Sequence, residues 1–244
     1  MRKNAIITGA NRGIGYEMLK VFTKAGYDVW ACARRKNKEF ETKIDSIAKE
    51  TGALITPVYF DLNEEQQIKE GIKSILKEKK KIDVLINNAG VPYGGLLTMT
   101  PIDELRRVYN INVFAQVQIM QLVARQMMKQ KSGCIINMCS VGGIETNPGY
   151  LAYGSSKAAL IWITKSVSRE LGSYGIRVNG IAPGLIDTDM GNYKSREELD
   201  KVLNRMSIMR MGKPAEIAKA ALYIASEDAA YMTGHILVMD GGRV

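Results

Sequence analysis

The chain has 244 residues, 46% of them hydrophobic, enough for one domain with a substantial buried core. Lysine and arginine outnumber aspartate and glutamate by 34 to 25, and the resulting net charge of +9 favours anionic partners. A single histidine, three cysteines without a C-x-x-C pair, and no apolar run of the roughly 18 residues a membrane span needs argue against a multi-histidine metal site, a disulfide framework and a transmembrane segment. The sequence reads as a soluble cytoplasmic protein, with no signal peptide, no membrane association and no nucleic-acid-binding module.

Residues 3–8 (KNAIIT) read as a short buried strand, followed by Gly9-Ala10-Asn11-Arg12-Gly13-Ile14-Gly15 and a helix from Tyr16 to Ala25. Strand, glycine turn and helix form the context of a dinucleotide-binding loop. The glycines let the backbone turn sharply and approach a pyrophosphate, and the helix N-terminus offers free N–H groups and positive dipole. Gly9, Asn11, Arg12, Gly13, Ile14 and Gly15 are therefore expected cofactor contacts. A second strand, Asp28 to Ala33, ends in Arg34-Arg35-Lys36, with no acid between Val29 and Lys38. An acid there would accept from the ribose 2′-hydroxyl of NAD(H), whereas arginine suits a 2′-phosphate. Arg34, together with Arg12 beside the helix N-terminus, points to NADP(H).

Lys38 to Thr51 reads as a helix and Leu54 to Phe60 as a third strand ending at Asp61-Leu62. Asn63 with Gln66 resembles a capping box for a helix from Glu64 to Lys80, whose lysine-rich end, Lys77 to Lys81, reads as a solvated terminus. Asp83 to Ile86 forms a fourth strand that delivers Asn87-Asn88-Ala89-Gly90 to the same edge as the glycine loop. Pro101 to Lys131 carries one long helical pattern interrupted by Asn112, a residue unfavourable in mid-helix that serves either function or packing. A fifth strand, Cys134 to Met138, leads to Ser140, and a Gly/Pro-rich loop leads to a helix from about Leu151.

Ile176 to Ile181 is a sixth strand ending in the turn Pro183 to Thr188, Pro214 to Ala225 a further helix, and Ile236 to Met239 a last strand with His235 beside it. Residues 189–211, with Met190, Met206, Met209 and Met211, suit either a substrate lid, at about 188–212, or ordinary packing. Cys32, Cys134 and Cys139 read as small buried strand residues. The alternation predicts an α/β protein: one domain over 1–244, a Rossmann-type doubly wound fold with a seven-stranded parallel sheet and helices on both faces.

The pattern Tyr-x-x-x-Lys occurs twice, at Tyr16/Lys20 and Tyr153/Lys157. Four-residue spacing on a helix stacks phenol and ammonium on one face. A cation held there favours phenolate and lowers the tyrosine pKa from its ordinary value of about 10, so the phenol can protonate a carbonyl oxygen near neutral pH. Only Tyr153 has a strand-end serine, Ser140, shortly upstream; Tyr16/Lys20 reads as a helix-surface pair. Gly154-Ser155-Ser156-Lys157-Ala158 nearly matches a serine-hydrolase elbow, but no histidine and acid follow it in a convincing order.

With these residues placed, TGANRGIG (8–15), NNAG (87–90), Asn112, Ser140, YGSSK (153–157) and PGLIDT (183–188) together resemble the short-chain dehydrogenase/reductase family over nearly the whole chain. Within it the chain is most similar to bacterial 3-oxoacyl-[acyl-carrier-protein] reductases, given IAPGLIDTDM (181–190) and YMTGHILVMDGG (231–242). The resemblance implies Tyr153 as general acid, Lys157 lowering its pKa and bonding the nicotinamide ribose, and Ser140 holding the substrate carbonyl. It implies Asn112 anchoring a water that links Lys157 to solvent. Asp61 and Leu62 would lie near the adenine, Asn88 and Gly90 on the adenosine side, and Ile186 and Thr188 at the nicotinamide end, with no metal.

The implied reaction is NADPH-dependent reduction of a 3-oxoacyl thioester to the 3-hydroxyacyl product, with acyl carrier protein as partner and a homotetrameric assembly. Two departures bear on the substrate. The segment after NNAG reads VPYGGLLTMT where these reductases usually carry an Arg/Asp-containing stretch. Of two basic carrier-docking positions, one is Lys131 and the other Tyr174, with Arg125, Lys129 and Arg169 available to compensate. The alternatives are a reductase of another ketone, a polyketide intermediate or a coenzyme A ester, and a non-catalytic NADPH-binding sensor. The sensor would lack Ser140, Tyr153 or Lys157, and all three are present.

Overall fold

The computed structural model of the chain describes residues 2–189 and 196–242. Seven strands, β1 (Lys3–Thr8), β2 (Tyr27–Ala33), β3 (Ile55–Tyr59), β4 (Val84–Asn87), β5 (Gly133–Met138), β6 (Ile176–Pro183) and β7 (Ile236–Met239), form one parallel sheet in the order 3-2-1-4-5-6-7. Among the described residues, eight α-helices accompany them: α1 (Gly13–Lys24), α2 (Lys38–Thr51), α3 (Glu65–Lys77), α4 (Ile102–Tyr109), α5 (Ala115–Gln130), α6 (Leu151–Leu171), α7 (Arg196–Leu203) and α8 (Pro214–Ala225). None of the described helices is long and apolar enough to cross a membrane.

Along β1, Ala5 and Ile7 face one core with Met18, Leu19 and Phe22 of α1 and Ile217 of α8. Ile6 faces the other core, with Ile68 and Ile72 of α3 and Ile119 and Val123 of α5. Burial on both faces is why the strands read as nearly continuous apolar runs rather than alternating ones. The chain lays down β1, β2 and β3 in one direction and then returns to place β4 beside β1. That reversal opens a crevice at the C-terminal ends of β1 and β4, where a doubly wound sheet binds ligands. A buried polar ladder crosses the sheet centre: Asn87 Nδ2 donates to Asn137 Oδ1 (2.9 Å), and Asn137 Nδ2 to Thr164 Oγ1 (2.9 Å) on α6.

Four sequence expectations change. The Asn63/Gln66 capping box is absent: Asp61 Oδ1 accepts from the Asn63 N–H (2.9 Å) in a local turn, Gln66 pairs with Glu70 on the surface, and the helix starts at Glu65. The lysine-rich end is exposed as expected, but the helix does not reach Lys80. The helix stops at Lys77, and Lys80 pairs with Glu78 (2.9 Å) and covers the Trp30 ring at 5.8 Å, while Trp30 Nε1 donates to Glu78 (2.9 Å). The pattern over 101–131 is two helices joined by a π-helical turn, Asn110–Phe114. Cys32 and Cys134 lie buried in strands as expected, but Cys139 follows β5, and burial pushes its thiol up to about 11.

Candidate active site

β1 ends at Thr8, and the chain turns at Gly9 (φ +66°), a conformation that favours glycine. A Cβ on Gly15 would run into the Gly9 carbonyl oxygen, so this close crossing also requires glycine. α1 begins at Gly13 behind Arg12, whose side chain makes no capping bond, so the first N–H groups of the helix are not spent on a side-chain cap. Arg12 Nη1 meets Asp189 Oδ2 at 3.2 Å across the loop mouth, and the position of a Cβ on Gly13 lies 3.4 Å from Thr188 Cγ2. Ile186 is buried, with its backbone bridged to Gly212. The structure thus brings the turn after β6 against the glycine loop. Of the expected lid, residues 190–195, Met190 among them, lie outside the described residues; Met206 is buried and Met209 exposed.

Thr8 Oγ1 accepts from the N–H groups of Asn88 (2.9 Å) and Ala89 (3.0 Å), and Asn88 Nδ2 donates to the carbonyls of Thr8 (2.9 Å) and Gly9 (3.3 Å). Asn88 therefore pins the two crevice loops together. Arg34 is exposed directly beyond β2, and Asp61 and Leu62 lie just past the neighbouring β3.

Asn112 sits within the π-helical turn and is fully buried. Its Oδ1 accepts from Val91 N–H (2.9 Å), and its Nδ2 donates to Val91 O (3.0 Å) and Ser156 Oγ (3.1 Å). These tertiary bonds account for an asparagine in a helical run, and widened turns of this kind recur at functional sites. Beside it, a Cβ on Gly90 would lie 3.1 Å from Asn112 Oδ1 and 3.4 Å from Lys157 Nζ. Ser140 Oγ accepts from Gly142 N–H (3.1 Å), capping the short turn Val141–Gly143 and leaving its own hydrogen to offer.

Lys157 Nζ lies 5.8 Å from the Tyr153 ring centroid, as the spacing on α6 predicts. It is only 4% exposed, it donates to Met138 O (2.7 Å), and burial pushes its pKa down to about 8. The other tyrosine–lysine pair is on the surface of α1, with Lys20 Nζ 2.6 Å from Glu17. His235 takes a main-chain role, its N–H donating to Asn179 Oδ1 (3.0 Å).

Around this cluster, Leu96, Leu97 and Met99 are exposed, and Gly95 N–H donates to Gly149 O (3.0 Å), holding their segment against the loop before Tyr153. Farther out, Lys131, Arg125, Lys129, Arg169 and Tyr174 are all exposed, and a Cβ on Gly175 would lie 2.6 Å from Lys131 O. Sequence reasoning missed Gln116, buried four residues after Asn112 and donating to Ala89 O (2.9 Å). Its one signal is a polar residue on the helix face that Asn112 occupies. The residues present fit a dinucleotide: glycines where side chains would obstruct, uncommitted N–H groups at a helix start, and a buried ammonium under Gly90.

The fold and this cluster define an oxidoreductase that uses a nicotinamide dinucleotide on a CH–OH/C=O pair. A family profile described as "Enoyl-(Acyl carrier protein) reductase" matches residues 9–243. The chain belongs to the short-chain dehydrogenase/reductase family. It is 36% identical over 244 residues to 3-oxoacyl-[acyl-carrier-protein] reductase FabG of Chlamydia trachomatis, covering 99% of this chain and 97% of that one. It is also 36% identical to the FabG of Thermotoga maritima, over 99% and 98% of the two chains. Among solved structures, a 7α-hydroxysteroid dehydrogenase complexed with NADH and 7-oxo glycochenodeoxycholic acid superposes with a TM-score of 0.92 at 35% identity, over 99% and 94% of the chains. ElxO with NADP bound superposes with a TM-score of 0.90 at 32% identity, over 99% and 98%.

Proposed function

We propose that the chain is an NADPH-dependent reductase of 3-oxoacyl thioesters carried on acyl carrier protein, giving the 3-hydroxyacyl product in fatty-acid-type synthesis. The observation that carries this reading is the buried Lys157 ammonium against Tyr153, beside Gly90, in a chain similar over its whole length to 3-oxoacyl-[acyl-carrier-protein] reductases. NADPH, when bound, supplies hydride to C3 of the substrate. The chain's own residues manage the oxygen. Ser140 donates its hydroxyl hydrogen to the carbonyl oxygen, and Tyr153 delivers the proton that completes the alcohol. Lys157, charged below about pH 8, favours the phenolate left behind. Asn112 fixes Val91 and Ser156 and anchors the path by which a solvent proton returns to Tyr153 through Lys157. The developing oxyanion is thus met by two hydroxyl donors backed by a cation, without need of a metal.

Preference for NADPH is supported by exposed Arg34 at the end of β2 and Arg12 at the start of α1. One solved relative holds NADH and another NADP, so the fold accommodates either and the choice rests with these side chains. An acidic carrier protein is supported by the net charge of +9 and by exposed Arg125, Lys129, Lys131 and Arg169. The same reading takes the enzyme as a cytoplasmic homotetramer, with the segment at about 188–212 as substrate lid. A second reading, reduction of another apolar ketone, is favoured by the uncharged segment 91–100 with its exposed leucines.

Tyr153→Phe should abolish NADPH oxidation with a 3-oxoacyl thioester, by about 10²-fold or more, with NADPH binding nearly intact. Undiminished turnover would defeat the assignment. Arg34→Asp should move the ratio of kcat/KM for NADPH over NADH toward NADH, and an unchanged ratio would remove β2 from cofactor choice. Carrier-linked, coenzyme A-linked and free ketones compared side by side decide between the two readings.

A further inference from the structure

We infer that Gln116 is a positioning residue for hydride transfer: one buried amide locks the Asn112 turn onto the Ala89–Val91 strip and so seats Gly90 over Lys157. The inference rests on the oxidoreductase reading above but not on the identity of the ketone.

Widening a helix from four-residue to five-residue closure disturbs its regular ladder of carbonyl acceptors. At the turn Asn110–Phe114, Gln116 Nε2 reaches back five residues to donate to Ile111 O (3.0 Å), and the same nitrogen donates to Ala89 O (2.9 Å). Gln116 is 1% exposed, and its Oε1 has no partner among the described residues. All its hydrogen bonding there runs through Nε2, and turning the amide over would set Oε1 against two carbonyl oxygens.

Asn112, four residues earlier, takes both the N–H and the carbonyl of Val91. Ala89 and Val91 are thus each gripped by a side-chain amide from one helical segment. Gly90 lies between them, with Asn112 Oδ1 3.1 Å and Lys157 Nζ 3.4 Å from where a Cβ on it would stand. On the other side, the Ala89 N–H is held by Thr8 (3.0 Å), and a Cβ on Gly9 would lie 3.0 Å from Ala89 Cα. Through Ala89, Gln116 links the Asn112 turn to the Gly90 strip and, by way of Thr8 and Gly9, to the glycine loop. It acts through Ala89 and Ile111 rather than on any reacting atom.

Two variants test this in the full chain, each assayed well below its melting temperature. Gln116→Met keeps the volume and removes the donor. It should weaken NADPH binding, read from nicotinamide fluorescence without substrate, and lower kcat about tenfold. The KM for the ketone should stay within about twofold, because nothing that touches the ketone has changed. Gln116→Glu can donate only when its carboxyl is protonated, and as a carboxylate it repels both carbonyls. Its kcat relative to the native chain should therefore climb as pH falls from about 8.5 to about 6.

Native kcat and NADPH affinity in Gln116→Met, with only the melting temperature lowered, would reduce Gln116 to a packing residue and overturn the inference. A pH-independent ratio for Gln116→Glu would do the same. NADPH binding needs no ketone, and kcat can be followed with any ketone the native enzyme accepts. Failure of the 3-oxoacyl assignment would show separately, as a native enzyme inactive on that substrate.

Discussion

Helices α1 and α6 each place a lysine four residues after a tyrosine, and in both the ammonium comes to rest over the ring, at 5.3 Å for Tyr16 and 5.8 Å for Tyr153. Beyond that distance the two diverge. On α1, Lys20 is about a third exposed and spends its charge on Glu17 at 2.6 Å, with Lys43 facing the same ring at 5.7 Å. On α6, Lys157 is sealed from solvent, meets a carbonyl rather than a carboxylate, and has its pKa drawn down to about 8 by burial. Helical spacing sets proximity, while desolvation and partners decide whether a tyrosine–lysine pair is a surface contact or a proton-transfer couple.

The sharpest way to break this contrast is Lys157→Met, which should lower reductive kcat/KM by about 10²-fold or more. In the native enzyme, reductive kcat/KM should fall as pH rises through about 8, where Lys157 loses its proton, and that inflection should vanish in the variant. Stability of the ligand-free protein should move the opposite way. Between pH about 8 and the ordinary lysine value of 10.5, the unfolded chain binds more protons at this site than the folded one, so stability rises with pH across that window. Below about 8 the burial penalty is fully present, and a urea-melt series against pH reads it. The smallest effect belongs to Lys20→Met: activity within about twofold of native and a stability change under about 1 kcal/mol. A loss comparable to that of Lys157→Met would erase the distinction.

Strand and helix order was readable because parallel strands covered on both faces leave unbroken apolar runs, and because glycines punctuate the chain where it must reverse. The helices over Lys38–Thr51 and Pro214–Ala225 follow directly from local pattern. The turn at Asn110–Phe114 does not, since the bonds that hold its Asn112 run to Val91, 21 residues away in the chain. Asn63 and Gln66 had the letters of a capping box, but Asp61 captured the Asn63 N–H first. At the candidate site, the approach of Lys157 to the Tyr153 ring was legible from four-residue spacing on a helix. Gln116 was not, because a glutamine in an apolar helix looks the same whether it faces solvent or grips a buried carbonyl.

Apolar neighbours on parallel strands tolerate a two-residue slip, because side chains return to the same face. Asn87, Asn137 and Thr164 do not, since a misalignment would break the buried bonds from Asn87 Nδ2 to Asn137 and from Asn137 to Thr164, at about 1–3 kcal/mol for each group left dry. The middle of the sheet thus carries a combination lock that accepts one alignment of β4 against β5. Those two strands lead to Gly90 and Ser140, so a molecule that has assembled the edge carrying the candidate site has already proof-read its own pairing.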